Sequence, residues 1–175
     1  DLIATKIDDI QKEADTINPD YLIVDTPGQI ELFAYRQSGP FFVNEFIAEE
    51  KMNLFLFDGT MVSTPENFVS LTLLSTSIRL RLGLPTVNVI TKTDLIQEKL
   101  EKVLRWSGTD SQLEADLAGE VNGDTFSLIS DMLSSLNRHD FQQDLIPVSN
   151  ATGDGMVNLQ SALSRTINLG EEIED

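Results

Sequence analysis

Three short stretches of this chain carry residue types that can do chemistry. The first is Asp25-Thr26-Pro27-Gly28-Gln29-Ile30-Glu31. It follows four apolar residues, Tyr21 to Val24, whose unbroken run predicts a buried parallel strand. In open α/β sheets, ligands sit just past the carboxyl ends of strands, and Asp25 to Glu31 occupies that place. An Asp there can hold Mg²⁺ directly or through water. The N–H of Gly28 can meet a terminal phosphate oxygen, and Gln29 or Glu31 can orient an attacking water. A plain turn that closes a strand is the competing reading of so short a pattern. The second stretch, Thr91-Lys92-Thr93-Asp94, also follows an apolar run, and its lysine and carboxylate stand two apart. The lysine stem can stack on a purine while the carboxylate accepts from two donors. Guanine offers N1–H and an amino group side by side, whereas adenine has an acceptor at N1, so a carboxylate selects guanine. The third, Ser149-Asn150-Ala151, can supply a backbone N–H to guanine O6 and a serine to steady Asp94. Each pattern alone arises by chance; their order, each at the end of an expected strand, points to one nucleotide.

Composition narrows the alternatives. The chain has 175 residues, 41% of them hydrophobic, enough for one domain with a real core. With 29 acidic and 12 basic residues the formal net charge is −17, which repels phosphate backbones and anionic lipid. Nucleic acid and membrane are therefore not expected as direct partners. A bound nucleotide remains compatible, because local N–H groups, lysine and Mg²⁺ outweigh the global field. There is no cysteine and a single histidine, His139, which excludes disulfides, thiolate nucleophiles and a Cys/His zinc site. No apolar run approaches the ~20 residues that span a bilayer, and no signal peptide is visible, so a cytoplasmic location is expected.

The elements that must position these residues alternate between helix and strand. Leu2, Ile3, Ile7, Ile10, Ala14 and Ile17 predict an amphipathic helix ending near Asn18-Pro19. After Glu31, residues 32–49 hold Phe33, Tyr35, Phe41, Phe42 and Phe46. Such a cluster reads as core, as a mobile switch segment or as a partner-binding surface. Asn53 to Phe57 predicts a second strand, ending in Asp58-Gly59-Thr60, and Pro65 opens a helix that runs to Leu82 before Gly83. Thr86 to Ile90 predicts a third strand, and Leu95 to Trp106 a charged helix. Ser107 to Asp124 is polar with three glycines and reads as an inserted loop, followed by a helix from Thr125 to Leu136. A fourth strand is expected over Leu145 to Val148 and a last helix from Met156 to about Leu169. The expected fold is thus α/β: a mostly parallel sheet sandwiched by helices, forming a single domain over residues 1–170, with an acidic tail over 171–175.

At this point the chain resembles a known family. Asp25-Thr26-Pro27-Gly28-Gln29, Thr91-Lys92-Thr93-Asp94 and Ser149-Asn150-Ala151 look like the third, fourth and fifth signature boxes of P-loop GTPases. The finer pattern is similar to the GPN-loop GTPases. It adds Ile30-Glu31, Phe57-Asp58, Pro65-Glu66-Asn67-Phe68, the run Arg81 to Val89, and Leu95. That resemblance implies a P-loop NTPase-like fold, GTP or GDP with Mg²⁺, and a homodimer or a heterodimer of paralogues. Carried across, Asp25 would assist Mg²⁺, Gly28 would touch the γ-phosphate, and Gln29 and Glu31 would position water. Thr91, Lys92 and Asp94 would read guanine, with Ser149, Asn150 and Ala151 completing the base pocket.

The chain also departs from the family pattern. None of its ten glycines stands in G-x-x-x-x-G-K-[ST], and no Gly-Pro-Asn is present. Both elements would precede Asp1, which is not a methionine and falls within a helical pattern. The expectation is the carboxyl-terminal part of a longer GTPase, lacking the first strand and phosphate loop and inactive by itself. A non-catalytic GTPase-like module that binds protein through residues 33–46, having lost phosphate binding, is the alternative. An ATP-using relative is a third reading.

Overall fold

A computed structural model describes residues 2–26, 28–108, 112–138 and 145–168. The chain divides into two compact units, Asp1–Lys51 with Ile78–Leu84, and Met52–Ser77 with Pro85–Asp175.

In the first unit, helix α1 spans Leu2–Ile17. It stops where expected: Asn18 turns left-handed (φ 47°) and its N–H closes on the Ala14 carbonyl, so Pro19 lies outside. Midway along α1, the amide of Gln11 clasps the backbone of Ile47 in both directions. Its Oε1 accepts from the Ile47 N–H at 2.8 Å and its Nε2 donates to the Ile47 carbonyl at 3.2 Å. Two short helices follow, α2 (Ile30–Ala34) and α3 (Ser38–Glu45). Gly39 is required at their junction, because a Cβ there would stand 2.1 Å from the Phe33 carbonyl oxygen. The aromatic segment divides its roles: Phe46 is buried and stacks on Phe42 at 5.3 Å, while Tyr35 and Phe41 are exposed.

One expectation fails in this unit. Tyr21 to Val24 is not a strand; it has no ladder pairing among the described residues, and Ile23 is 86% exposed. An apolar run states only that burial on both faces would be favourable. A strand also needs a neighbour for its N–H and C=O groups, and no sequence run carries that information.

The second unit is built on a three-stranded parallel sheet ordered β1-β2-β3, with β1 Asn53–Asp58, β2 Thr86–Thr91 and β3 Leu145–Pro147. The register pairs Asn53 with Thr86 through Asp58 with Thr91, and Asn88 with Leu145. Central β2 is buried along five of its six residues, as a strand covered on both faces must be. One face is aromatic. Phe55 meets Phe57 edge-on at 5.1 Å, and Phe57 stacks on Phe68 of α4 (Pro65–Leu82) at 6.4 Å. Phe68 in turn meets Trp106 of α5 (Gln97–Ser107) at 5.7 Å. The same face buries a polar pair, with the Ser75 hydroxyl donating to Asn88 Oδ1 at 2.7 Å. The opposite face is aliphatic: Val87, Val89 and Val148 pack on Ala162, Leu159 and Leu163 of α8 (Met156–Asn168). Alternation along the strands separates the two sets.

Helix α4 begins at Pro65 in the second unit and ends at Leu82, within the stretch Ile78–Leu84 that belongs to the first; Gly83 is left-handed (φ 67°) and hydrogen-bonded to the Arg79 carbonyl. The expected loop over 107–124 is corrected. It contains α6, Gln112–Ala118, whose Leu113 and Leu117 are both buried. That i, i+4 pair was a helical signal outweighed by the glycines around it. Asp116 anchors α6 to α5 by accepting from Trp106 Nε1 at 2.8 Å and from Lys102 at 3.3 Å. The Trp106 hydrogen bond, foremost among these donors, lowers the Asp116 pKa from its ordinary value. Helix α7 spans Gly123–Arg138. The acidic stretch 171–175 lies outside the described residues.

Candidate functional site

The carboxyl ends of β2 and β3 put two of the three expected stretches together. Parallel neighbours place their ends on the same rim of the sheet, and hydrogen bonds continue past the ladder: Val148 N–H donates to Ile90 at 2.9 Å and Thr93 N–H to Val148 at 3.3 Å. Lys92 turns left-handed (φ 57°, ψ 35°), which reverses the chain at once into a short 3₁₀ turn, Thr93–Leu95. That conformation is unfavourable for a residue with a Cβ and needs support from outside. Thr93 faces inward, Asp94 is half-buried and Lys92 is exposed.

The loop after β3 is wound around Ser149, which is fully buried. Its N–H donates to the Asp154 carbonyl, and its carbonyl accepts from Gly153 N–H at 2.9 Å. The Thr152 N–H meets its hydroxyl oxygen at 3.2 Å, and Thr152 Oγ1 donates to Asp154 Oδ2 at 2.6 Å. Gly155 (φ 80°) passes so close to Pro147 that a Cβ would overlap its carbonyl oxygen at 1.8 Å. Held this way, the Ser149 hydroxyl donates to Asp94 Oδ1 at 2.6 Å, joining loops 55 residues apart. A bond this short, to a charged acceptor and from a buried donor, fixes the rotation of the carboxylate. Asn150 and Ala151 sit exposed beside it. A shallow cavity of about 220 Å³ adjoins Asp94, with Thr93, Asp154 and Asn158 also on its walls.

A third loop joins this rim. Asp58, at the end of β1, accepts from Thr60 N–H (2.9 Å) and Thr60 Oγ1 (2.6 Å) on one oxygen. Its other oxygen accepts from Lys92 Nζ at 2.6 Å. These donors, Lys92 foremost and then Thr60, bring the Asp58 pKa down from 3.8 to about 2. Asp58-Gly59-Thr60 closes a strand in the sequence without an assigned role. The signal was present, since an acid closes β1 as one closes the expected strand before Asp25.

The remaining candidates belong to the first unit. Asp25, Gly28 and Gln29 are all exposed, and a Cβ on Gly28 would meet nothing within 4 Å. The Gln29 carbonyl starts α2 by accepting from Phe33 N–H at 3.4 Å. Glu31 lies in α2, but its side chain, like Pro27, is outside the described residues. No group of three His, Cys, Asp or Glu suited to a metal occurs among the described residues. A single exposed carboxylate such as Asp25 nevertheless suits Mg²⁺, which keeps most of its water and takes its other ligands from phosphate.

A parallel sheet between helices, with polar loops gathered at the strand ends, is an α/β arrangement of the kind in which ligands sit at the carboxyl rim of the sheet. The solved structure of apo PAB0955, a GTPase from Pyrococcus abyssi, has this fold: TM-score 0.78 at 21% identity, covering 94% of this chain and 66% of that one. The chain belongs to the family described as conserved hypothetical ATP binding protein, whose model matches residues 1–169 and whose curated relatives are GPN-loop GTPases. Among these, GPN-loop GTPase QQT2 of Arabidopsis thaliana is 32% identical over 89% of this chain and 41% of its own length. GPN-loop GTPase 1 of Saccharomyces cerevisiae is 28% identical over 95% of this chain and 46% of its own. The chain thus spans about half the length of these relatives.

Proposed function

We propose that the full-length protein binds GTP and GDP and hydrolyses GTP. Guanine would be recognised by Thr91-Lys92-Thr93-Asp94 and Ser149-Asn150-Ala151. The observation that carries the reading is the 2.6 Å hydrogen bond from Ser149 to Asp94. It holds one carboxylate oxygen, and the carboxylate so turned is suited to accept from guanine N1–H and the 2-amino group. The Lys92 stem would lie along the ring, and the Ala151 N–H would meet O6. The family description mentions ATP, but an adenine would set its N1 lone pair against the Asp94 carboxylate, which disfavours it.

Asp25 would hold Mg²⁺, which when bound draws off charge from the phosphate oxygens. Gly28 N–H would donate to the γ-phosphate, and Gln29 and Glu31 would orient a water in line with the bond to be broken. Water oxygen then bonds to phosphorus, the bridging oxygen leaves with GDP, and the water proton passes to the phosphate product. A homodimer or heterodimer of paralogues and a cytoplasmic location belong to the same proposal; among the described residues no helix is long and apolar enough to cross a membrane.

The alternative, a non-catalytic module that binds protein, draws on the exposed Tyr35, Phe41 and Ile47. Asp94→Asn in the full-length protein separates the readings. Losing two charge-assisted bonds at ~1.5 kcal/mol each lowers GDP affinity about 100-fold. Xanthosine diphosphate, with a carbonyl where guanine has its amine, should then bind better than GDP. Indifference of the wild type to GDP with Mg²⁺ favours the module; unchanged base preference in the variant overturns the assignment of Asp94.

A further inference from the structure

Asp58-Gly59-Thr60 has no part in the reading above, yet it is built against the loop that reading depends on. The register pairs Asp58 with Thr91, the residue just before Lys92. Gly59 N–H donates to the Thr91 carbonyl at 3.0 Å, and a Cβ on Gly59 would lie 2.6 Å from that oxygen and 3.1 Å from Ile96 Cδ1. The tripeptide therefore rests on the backbone of the Thr91–Asp94 stretch with no room for a side chain. Thr60 then aims the Asp58 carboxylate: its N–H and hydroxyl occupy one oxygen, leaving the other to Lys92 Nζ at 2.6 Å.

Exposed ion pairs contribute little to stability, and Lys92 is 55% exposed. The consequence lies in positioning. A free lysine stem samples many rotamers, and a ligand that packs on it must order them. Here the left-handed backbone fixes one end of the stem and Asp58 the other, so the methylenes are already drawn out as a surface.

We propose that Asp58, oriented by Thr60, is a positioning residue that preorganises the Lys92 side chain as the platform for the purine ring, with Gly59 seating the turn. This rests on the reading of Thr91–Asp94 as the base-recognition loop. The test is a double-mutant cycle in the full-length protein, reading GDP affinity with a fluorescent GDP analogue. Asp58→Asn removes the charge while keeping an oxygen for Thr60 N–H, and Lys92→Met keeps an apolar stem without the ammonium. Asp58→Asn alone should weaken GDP binding about fivefold, the cost of ordering one long side chain. In the Lys92→Met background it should have no further effect, because its target is gone. An equal loss in both backgrounds would mean that Asp58 acts on the fold rather than through Lys92, and would overturn the proposal. So would an Asp58→Asn affinity within about 1.5-fold of wild type alongside an Asp94→Asn variant that has lost guanine preference; in that case only the positioning role falls. If Asp94→Asn keeps its preference, the base-loop reading fails and the role of Asp58 fails with it.

Discussion

Ser149→Ala removes one oxygen atom and tests the join between the two base-side loops. Ser149 is fully buried and its hydroxyl makes two contacts, donating to Asp94 at 2.6 Å and accepting from Thr152 N–H at 3.2 Å. A hydrogen bond to a charged group contributes about 1.5–3 kcal/mol. Asp94 is only half-buried and Thr152 is exposed, so water recovers part of what both lose. The expected cost is therefore about 2 kcal/mol, which at a urea slope of ~2 kcal/mol per M lowers the unfolding midpoint by about 1 M. Ser161→Ala is the control. Its hydroxyl bonds the Val157 carbonyl in its own helix at an exposed site, and the same chemical change there should stay within ~0.5 kcal/mol. In the full-length protein, Ser149→Ala should also narrow the preference for GDP over inosine diphosphate, which lacks the amine that an aligned Asp94 accepts from. Equal midpoints for the two alanine variants would refute the claim that the Ser149–Asp94 bond holds the loops together.

Gly155→Ala should destabilise the chain by more than ~2 kcal/mol, since its Cβ overlaps the Pro147 carbonyl, whereas Gly153→Ala, at a similar φ but in open space, should cost only ~1 kcal/mol; matched melting temperatures would contradict this. Asp58 predicts an acid-side effect. Its folded pKa, about 2, lies below the ordinary 3.8, so its stabilisation is full above ~pH 4 and fades as pH falls toward 2. With screening by solvent at Lys92, wild type should lose about 1 kcal/mol more than Asp58→Asn over that interval, measured by urea unfolding at both ends. Trp106→Ala deletes the sole tryptophan, which is 1% exposed and packed on Phe68, and should cost ~3–5 kcal/mol by circular dichroism; a cost under 1 kcal/mol would mean the aromatic face is not a core.

Much of the fold was legible because its signals are local. Strands β1 and β2 are apolar runs closed by polar residues, and Pro65 and Gly83 punctuate α4 by mechanisms that act within a few residues. The pairing of Ser149 with Asp94 was readable too, since each follows a strand and parallel strands end on one rim. Residues 21–24 were not legible: their sequence is that of a buried strand, but whether a strand forms depends on a partner elsewhere. Helix α6 was hidden by composition, its two leucines lost among polar and glycine neighbours. Asp58 escaped notice for a different reason. Its role depends on where one lysine amine comes to rest, 34 residues away, and no period in the sequence encodes that distance.

The all-parallel sheet also sets how the second unit can assemble. Asn53 pairs with Thr86 and Asn88 with Leu145, so among the described residues no ladder joins strands that are near in the chain. A β-hairpin can nucleate locally in microseconds; here each pairing must wait for a long intervening segment to close. Until β2 arrives, Leu54-Phe55-Leu56-Phe57 is an uncharged, β-prone segment exposed to solvent, and other chains can pair with it. Refolding of this unit should therefore be slow, and its yield should fall as protein concentration rises.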